Sequence, residues 1–188
     1  MSAGSPLTAI IQELETTGAP FALIGAAARN AWAPPRLTTD IDVAVAADEP
    51  IYQAVVAALA RLGYRTAAAH RAEPEDDVPA VTLFRNEAAA PPYRQVDVLV
   101  AGTAFEREAI DRAVRMPLGD VSVPVVTRED LIVYKLIAWR PRDRQDIQDV
   151  IATARVAGAA LDWERIREWA DAWEVRARLD EVLAQPGD

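Results

Sequence analysis

Two aspartates one residue apart, Asp40 and Asp42, stand at the head of an apolar run that continues to Ala46, and nothing else in the chain restricts its fold as much. In a strand, residues i and i+2 project from the same face, which brings both carboxylates within reach of one shared cation. Like charges that close are costly unless a divalent ion or a proton lies between them. Upstream, Phe21 to Ile24 reads as a short buried strand that Gly25 interrupts. The alanine-rich stretch from Gly25 to Ala33 reads as a short helix, broken by Pro34 and Pro35. The frame is therefore a strand, a glycine turn, a helix, a loop, and a strand headed by acids.

The remaining segments extend this frame. Ser5 and Pro6 open a helix carrying Leu7, Ile10, Ile11 and Leu14, which Gly18 ends. Asp48, Glu49 and Pro50 cap a second, closed by Gly63 after Leu62. Tyr64 to His70 reads as an edge strand, and the acidic loop from Glu73 to Asp77 as polar, with Asp76 and Asp77 solvated charges rather than ligands. Val81 to Phe84 and Tyr93 to Val100 are expected to pair antiparallel, because the loop through Pro91 and Pro92 is too short for a helical crossover. Thr103 to Ala113 reads as a helix, followed by a hairpin of Val114 to Pro117 and Val121 to Val125. Thr127 and Asp130 mark the start of a helix bearing Leu131, Tyr134, Leu136 and Trp139, interrupted at Pro141. Another helix runs from Asp143 to about Ala157, and after Asp162 the chain reads as helical almost to its end, with Trp163, Ile166, Trp169, Trp173 and Leu179 as core anchors. The expected class is α+β: a mixed sheet flanked by helices over residues 1–126, then a helical carboxy-terminal segment over 127–188 packed on it.

Composition narrows the function. The chain has no cysteine, which excludes disulfides and thiolate metal sites and fits a reducing, cytoplasmic setting. It has no signal-like amino terminus and no run approaching about 18 apolar residues, so no membrane span is expected. The net charge of −9 disfavours generic attraction to nucleic acid. Lys135 is the only lysine, every other cation being arginine. Codon bias explains the arginine excess, and a need for one compact ammonium would explain the exception.

Within Gln95 to Val100, Asp97 is an acid in an apolar strand. It is either a solvent-facing residue or a carboxylate with a partner, since burying it ionised and alone is expensive. Together with Asp40 and Asp42 it would complete an oxygen-donor set suited to Mg²⁺ or Mn²⁺, and nothing here resembles a zinc site. A carboxylate-held metal pair suits nucleotidyl transfer. Gly25 lies where backbone N–H groups at a helix start meet phosphates.

These residues carry a resemblance. Gly25-Ala26, Pro35 to Val43 and Asp97 are similar to the minimal nucleotidyltransferase core of the DNA polymerase β superfamily. Thr127 to Leu131 and Lys135 to Ile147 resemble the later motifs of its AbiEii-like toxin branch. The resemblance spans roughly residues 20 to 150 and implies a five-stranded mixed sheet. It implies that Asp40, Asp42 and Asp97 hold metal, that Asp97 helps accept the attacking proton, that Gly25 lines the triphosphate, that Lys135 pairs with a phosphate, and that Asp146 is a second functional or site-ordering residue. Arg36 and Thr38 match the lead-in to the paired acids as support for the loop. Ala26 departs from the pattern: the family has serine or a second glycine there, and alanine offers no hydroxyl to a triphosphate. Arg140, Arg142 and Arg144 either guide an anionic substrate or pair with Asp143, Asp146 and Asp149 along a helix.

The reading that follows is a metal-dependent nucleotidyltransferase that moves a nucleoside monophosphate from an NTP such as ATP to an acceptor hydroxyl and releases pyrophosphate. The acceptor is a small molecule, a protein or tRNA, and an antitoxin is a possible partner. The alternatives are a catalytically degenerate nucleotide-binding regulator, which Ala26 motivates, and a toxin component that modifies tRNA.

Overall fold

The computed structural model describes residues 5–76, 78–90 and 93–184. Asp77, Pro91 and Pro92 lie outside them, so the readings made for those positions are not taken further. The helices are α1 (Pro6–Glu15), α2 (Gly25–Trp32), α3 (Glu49–Arg61), α4 (Ala104–Asp111), α5 (Arg128–Ala138), α6 (Asp143–Val156), α7 (Trp163–Ala172) and α8 (Arg176–Ala184). The strands are β1 (Phe21–Leu23), β2 (Asp40–Val45), β3 (Arg65–His70), β4 (Val81–Arg85), β5 (Gln95–Val100), β6 (Val114–Leu118) and β7 (Val121–Val125).

All seven strands form one sheet, in the order β3-β4-β5-β2-β1-β7-β6. The five strands implied by the resemblance fall two short, whereas the strands read from the residues themselves, the β3 edge and the β6–β7 hairpin included, all join one ladder. The sheet is mixed: β2 pairs antiparallel with β1 and parallel with β5. The chain between β2 and β5 makes α3, β3 and β4, which supplies the long crossover that a parallel pair requires.

Alternation fixes the faces. Ile41, Val43, Val96 and Val98 are buried in the core, while Asp40, Asp42 and Asp97 point to the opposite, partly open face. The expected helix starts are present. Ser5, Asp48 and Thr103 each cap through the side chain, and Thr103 with Glu106 makes a full capping box. At α5, Thr127 accepts from the Asp130 N–H and donates to Asp130 Oδ2 at 2.8 Å. Asp130 is fully buried and ion-paired to Arg165 at 2.8 Å, which ties α7 to α5.

Two helical expectations change. Helix α5 stops at Ala138, one residue before Trp139, which caps it in the left-handed region at φ 46°. The long final helix is two helices, because Glu174 at φ 55° reverses the chain between α7 and α8. A straight helix would carry Leu179 and Val182 away from the protein, whereas the reversal buries both. Trp163, Trp169 and Trp173 pack on the core as expected, with Trp169 against Phe105 at 5.2 Å. Left-handed backbone costs a side-chain-bearing residue about 1 kcal/mol or more. Glu174→Gly is therefore expected to raise stability in urea unfolding by up to about 1 kcal/mol.

Candidate active site

Register is what assembles the site. In the β2–β5 pair Asp40 lies opposite Gln95, and Asp42 opposite Asp97. Oxygen atoms of Asp40, Asp42 and Asp97 consequently lie within 4.8 Å of one another. Each carboxylate has a different neighbour. Thr38 Oγ1 donates to Asp40 Oδ1 at 2.9 Å. Gln95 Nε2 donates to both Asp97 oxygens, at 2.9 and 3.1 Å, which supplies the partner that a carboxylate in this strand needs. Asp42 accepts from the backbone N–H of Ala26, at the start of α2.

Gly25 has a role in this packing that phosphate binding alone does not suggest. Its φ is +60°, and a Cβ there would overlap Asp42 Oδ2. The like charges remain only partly relieved. Burial, followed by the Asp40 and Asp97 charges, pushes the Asp42 carboxyl up to about 6, against the Ala26 N–H and Arg140. Burial also raises Asp97, with Asp40 adding to it and the Gln95 hydrogen bond opposing.

Helix α5 forms the facing wall. Its residues Leu131, Tyr134, Lys135 and Ala138, spaced i, i+3, i+4 and i+7, line a cleft of about 560 Å³ whose floor is the three carboxylates. Gly25, Ala26, Arg36, Thr38, Arg140 and Arg142 also line it. Asp146 is not among the lining residues; it is buried behind them at 2% exposure and bound on several sides. Arg36 donates to it through Nε at 2.9 Å and Nη2 at 2.7 Å, and Lys135 Nζ at 2.6 Å. Arg29 Nε approaches it at 3.4 Å. Burial alone would raise the Asp146 carboxyl, but the hydrogen bonds from Arg36 and Lys135 outweigh it and hold the group below its usual range. Lys135 also donates to Asp143 at 3.0 Å.

The arginine cluster divides. Arg144 pairs with Glu181, while Asp143, Asp146 and Asp149 are taken by Lys135, Arg36 and Arg29. Among the described residues Arg140 and Arg142 have no ion pair and stand at the cleft rim, so pairing along α6 is not their state. Arg29 escaped the sequence reading. It is the sole charged residue between Gly25 and Ala33 and is 3% exposed, and its isolation among alanines was the available signal. Tyr134, noted from the sequence only as a residue its helix bears, also borders the cleft.

An all-oxygen donor set of three converging carboxylates fits a hard divalent cation such as Mg²⁺ or Mn²⁺. The profile described as "Nucleotidyl transferase AbiEii toxin, Type IV TA system" matches residues 10–183. The chain belongs to this family. An AbiEii-family chain is a nucleotidyltransferase, and its seven-stranded α+β fold agrees with solved nucleotidyltransferases. The antibiotic-resistance factor ANT(2'')-Ia superposes with a TM-score of 0.59 at 16% identity, over 93% of this chain and 92% of the other. The lincosamide antibiotic adenylyltransferase LnuA, lincomycin-bound, gives 0.55 at 16% identity, over 80% and 98%. MenT4, a nucleotidyltransferase toxin of Mycobacterium tuberculosis, gives 0.51 at 16% identity, over 87% of this chain and 60% of its own. At such identity these likenesses concern the fold. No curated protein matches the sequence significantly. Among the described residues no helix is long and apolar enough to cross a membrane.

Two measurements check this geometry. Carboxyl-detected NMR of Asp42 is expected to show a midpoint near pH 6, shifted down when Mg²⁺ is added. Because the folded value lies above the ordinary 3.8, this group withdraws stability as pH rises through that window, and its cost is absent at lower pH. Asp146→Asn is expected to destabilise the protein by about 3 kcal/mol in urea unfolding, since it leaves Arg29 and Lys135 buried without their shared carboxylate.

Proposed function

We propose that the protein transfers a nucleoside monophosphate from an NTP to an acceptor hydroxyl with release of pyrophosphate, and that transfer requires Mg²⁺ or Mn²⁺ held by Asp40, Asp42 and Asp97. The observation that carries this reading is the convergence of those three carboxylates on the floor of a cleft whose rim bears the unpaired Arg140 and Arg142. A bound divalent ion would supply charge neutralisation at the phosphates and a lowered pKa at the attacking oxygen. The protein's own residues do the rest.

Arg140 and Arg142 draw the polyphosphate to the rim, and the Gly25-Ala26 turn lets it approach closely because no side chain projects from Gly25. Lys135 has three donors, of which Asp143 and Asp146 take two, so the third is available to a phosphate. Asp146 and Arg36 act by position: their paired hydrogen bonds hold the loop that delivers Thr38 and Asp40. The acceptor oxygen forms its bond to the α-phosphorus as the bond from that phosphorus to the bridging oxygen breaks. Pyrophosphate leaves with the electron pair, and the hydroxyl proton passes to the Asp97 carboxylate. Membership of a toxin–antitoxin family supports an antitoxin as protein partner.

Incubation with α-labelled NTPs, Mg²⁺ and cell extract tests the reaction. Asp42→Asn is expected to lower label transfer by more than the roughly 10- to 100-fold that loss of an outer-shell metal partner costs. Transfer unchanged in Asp42→Asn, or none by the wild type, would contradict the assignment.

A further inference from the structure

Helix α5 ends in a conformation that its own sequence disfavours, and that ending is what turns Arg140 into the cleft. The cleft-facing residues of α5, Leu131, Tyr134, Lys135 and Ala138, share one stripe. In a helix continued past Ala138, Arg140 would lie nine positions beyond Leu131, about 180° around the axis and away from the carboxylates. Trp139 prevents this. It takes the left-handed region at φ 46°, and Arg140 stands at the cleft rim instead. Burial raises the Asp42 and Asp97 carboxyls and the Arg140 charge opposes it at both, so this guanidinium acts on the floor itself.

Left-handed backbone disfavours a bulky side chain, and such a residue persists there only where its surroundings hold it. A break at this point also strands two carbonyls. In a continued helix the N–H of residue 140 would bond Leu136 O, and that of residue 141 would bond Ile137 O. Arg140 instead donates its N–H to Asp143 Oδ2 at 2.6 Å, and Pro141 has none to give. One side chain from α8 takes both stranded carbonyls: Arg178 Nη1 donates to Leu136 O at 2.7 Å and to Ile137 O at 3.0 Å. The Arg178 guanidinium also lies 5.7 Å from the centre of the Trp139 ring, and that of Arg144 lies 5.6 Å from it. Arg144 in turn pairs with Glu181 of α8. Helix α8 therefore holds the turn through both its backbone and its ring.

Resting on the nucleotide role proposed above for the rim, we infer that Arg178 and Trp139 are positioning residues for NTP binding. Arg178 replaces the donors that α5 loses at Trp139, and the turn so held delivers Arg140 to the polyphosphate. The last helix, far from the carboxylates in sequence, thereby sets nucleotide affinity.

A double-mutant cycle separates positioning from simple support of the fold. Binding of a non-hydrolysable NTP with Mg²⁺ is measured by calorimetry for the wild type, Arg140→Ala, Arg178→Met and the double variant. Methionine keeps an unbranched apolar stem and removes the donors. Arg178→Met is expected to weaken binding about fivefold or more in the wild type, and less than about twofold where Arg140 is already replaced. Arg178→Lys, which returns a donor to the carbonyls, is expected to bind within about twofold of the wild type. Should Arg178→Met not fold, Arg178→Gln, whose amide is too short to span both carbonyls, carries the same cycle. Equal losses in the two backgrounds, or none in either, would overturn the positioning role while leaving the nucleotide site standing. NTP binding that Arg140→Ala leaves unchanged would overturn the rim assignment and this inference with it, and no binding by the wild type would overturn the transfer reading as well.

Discussion

One buried carboxylate holds the working parts of this protein together. Asp146, on α6, receives the paired hydrogen bonds of Arg36 from the loop before β2, the ammonium of Lys135 from α5, and the approach of Arg29 from α2. Asp143 and Asp149 complete the balance, so that Arg29, Arg36 and Lys135 face three carboxylates. Burying charge is expensive, and such a network stabilises little in total. Its value is geometric. The donors of Arg36 and Lys135 that reach Asp143 and Asp146 fix the loop and two walls of the cleft relative to one another, and the Arg29–Asp149 pair adds the first helix after the glycine turn. The helical part of the chain thereby reaches into the segment that delivers Asp40.

Against that network of opposite charges stands a floor of like ones. Asp42 is pressed between burial and two like charges, and Gly25 gives up its Cβ so that the carboxylate fits. Local rules are broken here and obeyed nearly everywhere else, which is the pattern expected of a binding site. The disfavoured state is the ionised one, and a divalent cation relieves it most directly.

Much of this was legible in the chain. The period-two pattern placed Asp40 and Asp42 on one face, and the caps at Ser5, Asp48, Thr103 and Thr127 marked helix starts where the structure has them. The AbiEii resemblance, which the family profile matches, put Asp97 and Lys135 in the same site before any geometry was known. Other features were not legible for physical reasons. The parallel register that sets Asp97 against Asp42 depends on a crossover of more than one element, which no local pattern encodes. The reversal at Glu174 uses a residue that gives no turn signal. Arg29 and Tyr134 were hidden because an arginine among alanines and a tyrosine in a helix declare their roles only through what tertiary packing brings beside them.

The central claim is that the β2–β5 register makes one metal-binding floor out of three carboxylates. Electron paramagnetic resonance of Mn²⁺ with a non-hydrolysable NTP tests it most directly, comparing the wild type with Asp97→Asn. The account predicts that protein-bound Mn²⁺ in the ternary mixture is weakened at least about tenfold by that substitution. Mn²⁺ binding that is identical in the two proteins would contradict it.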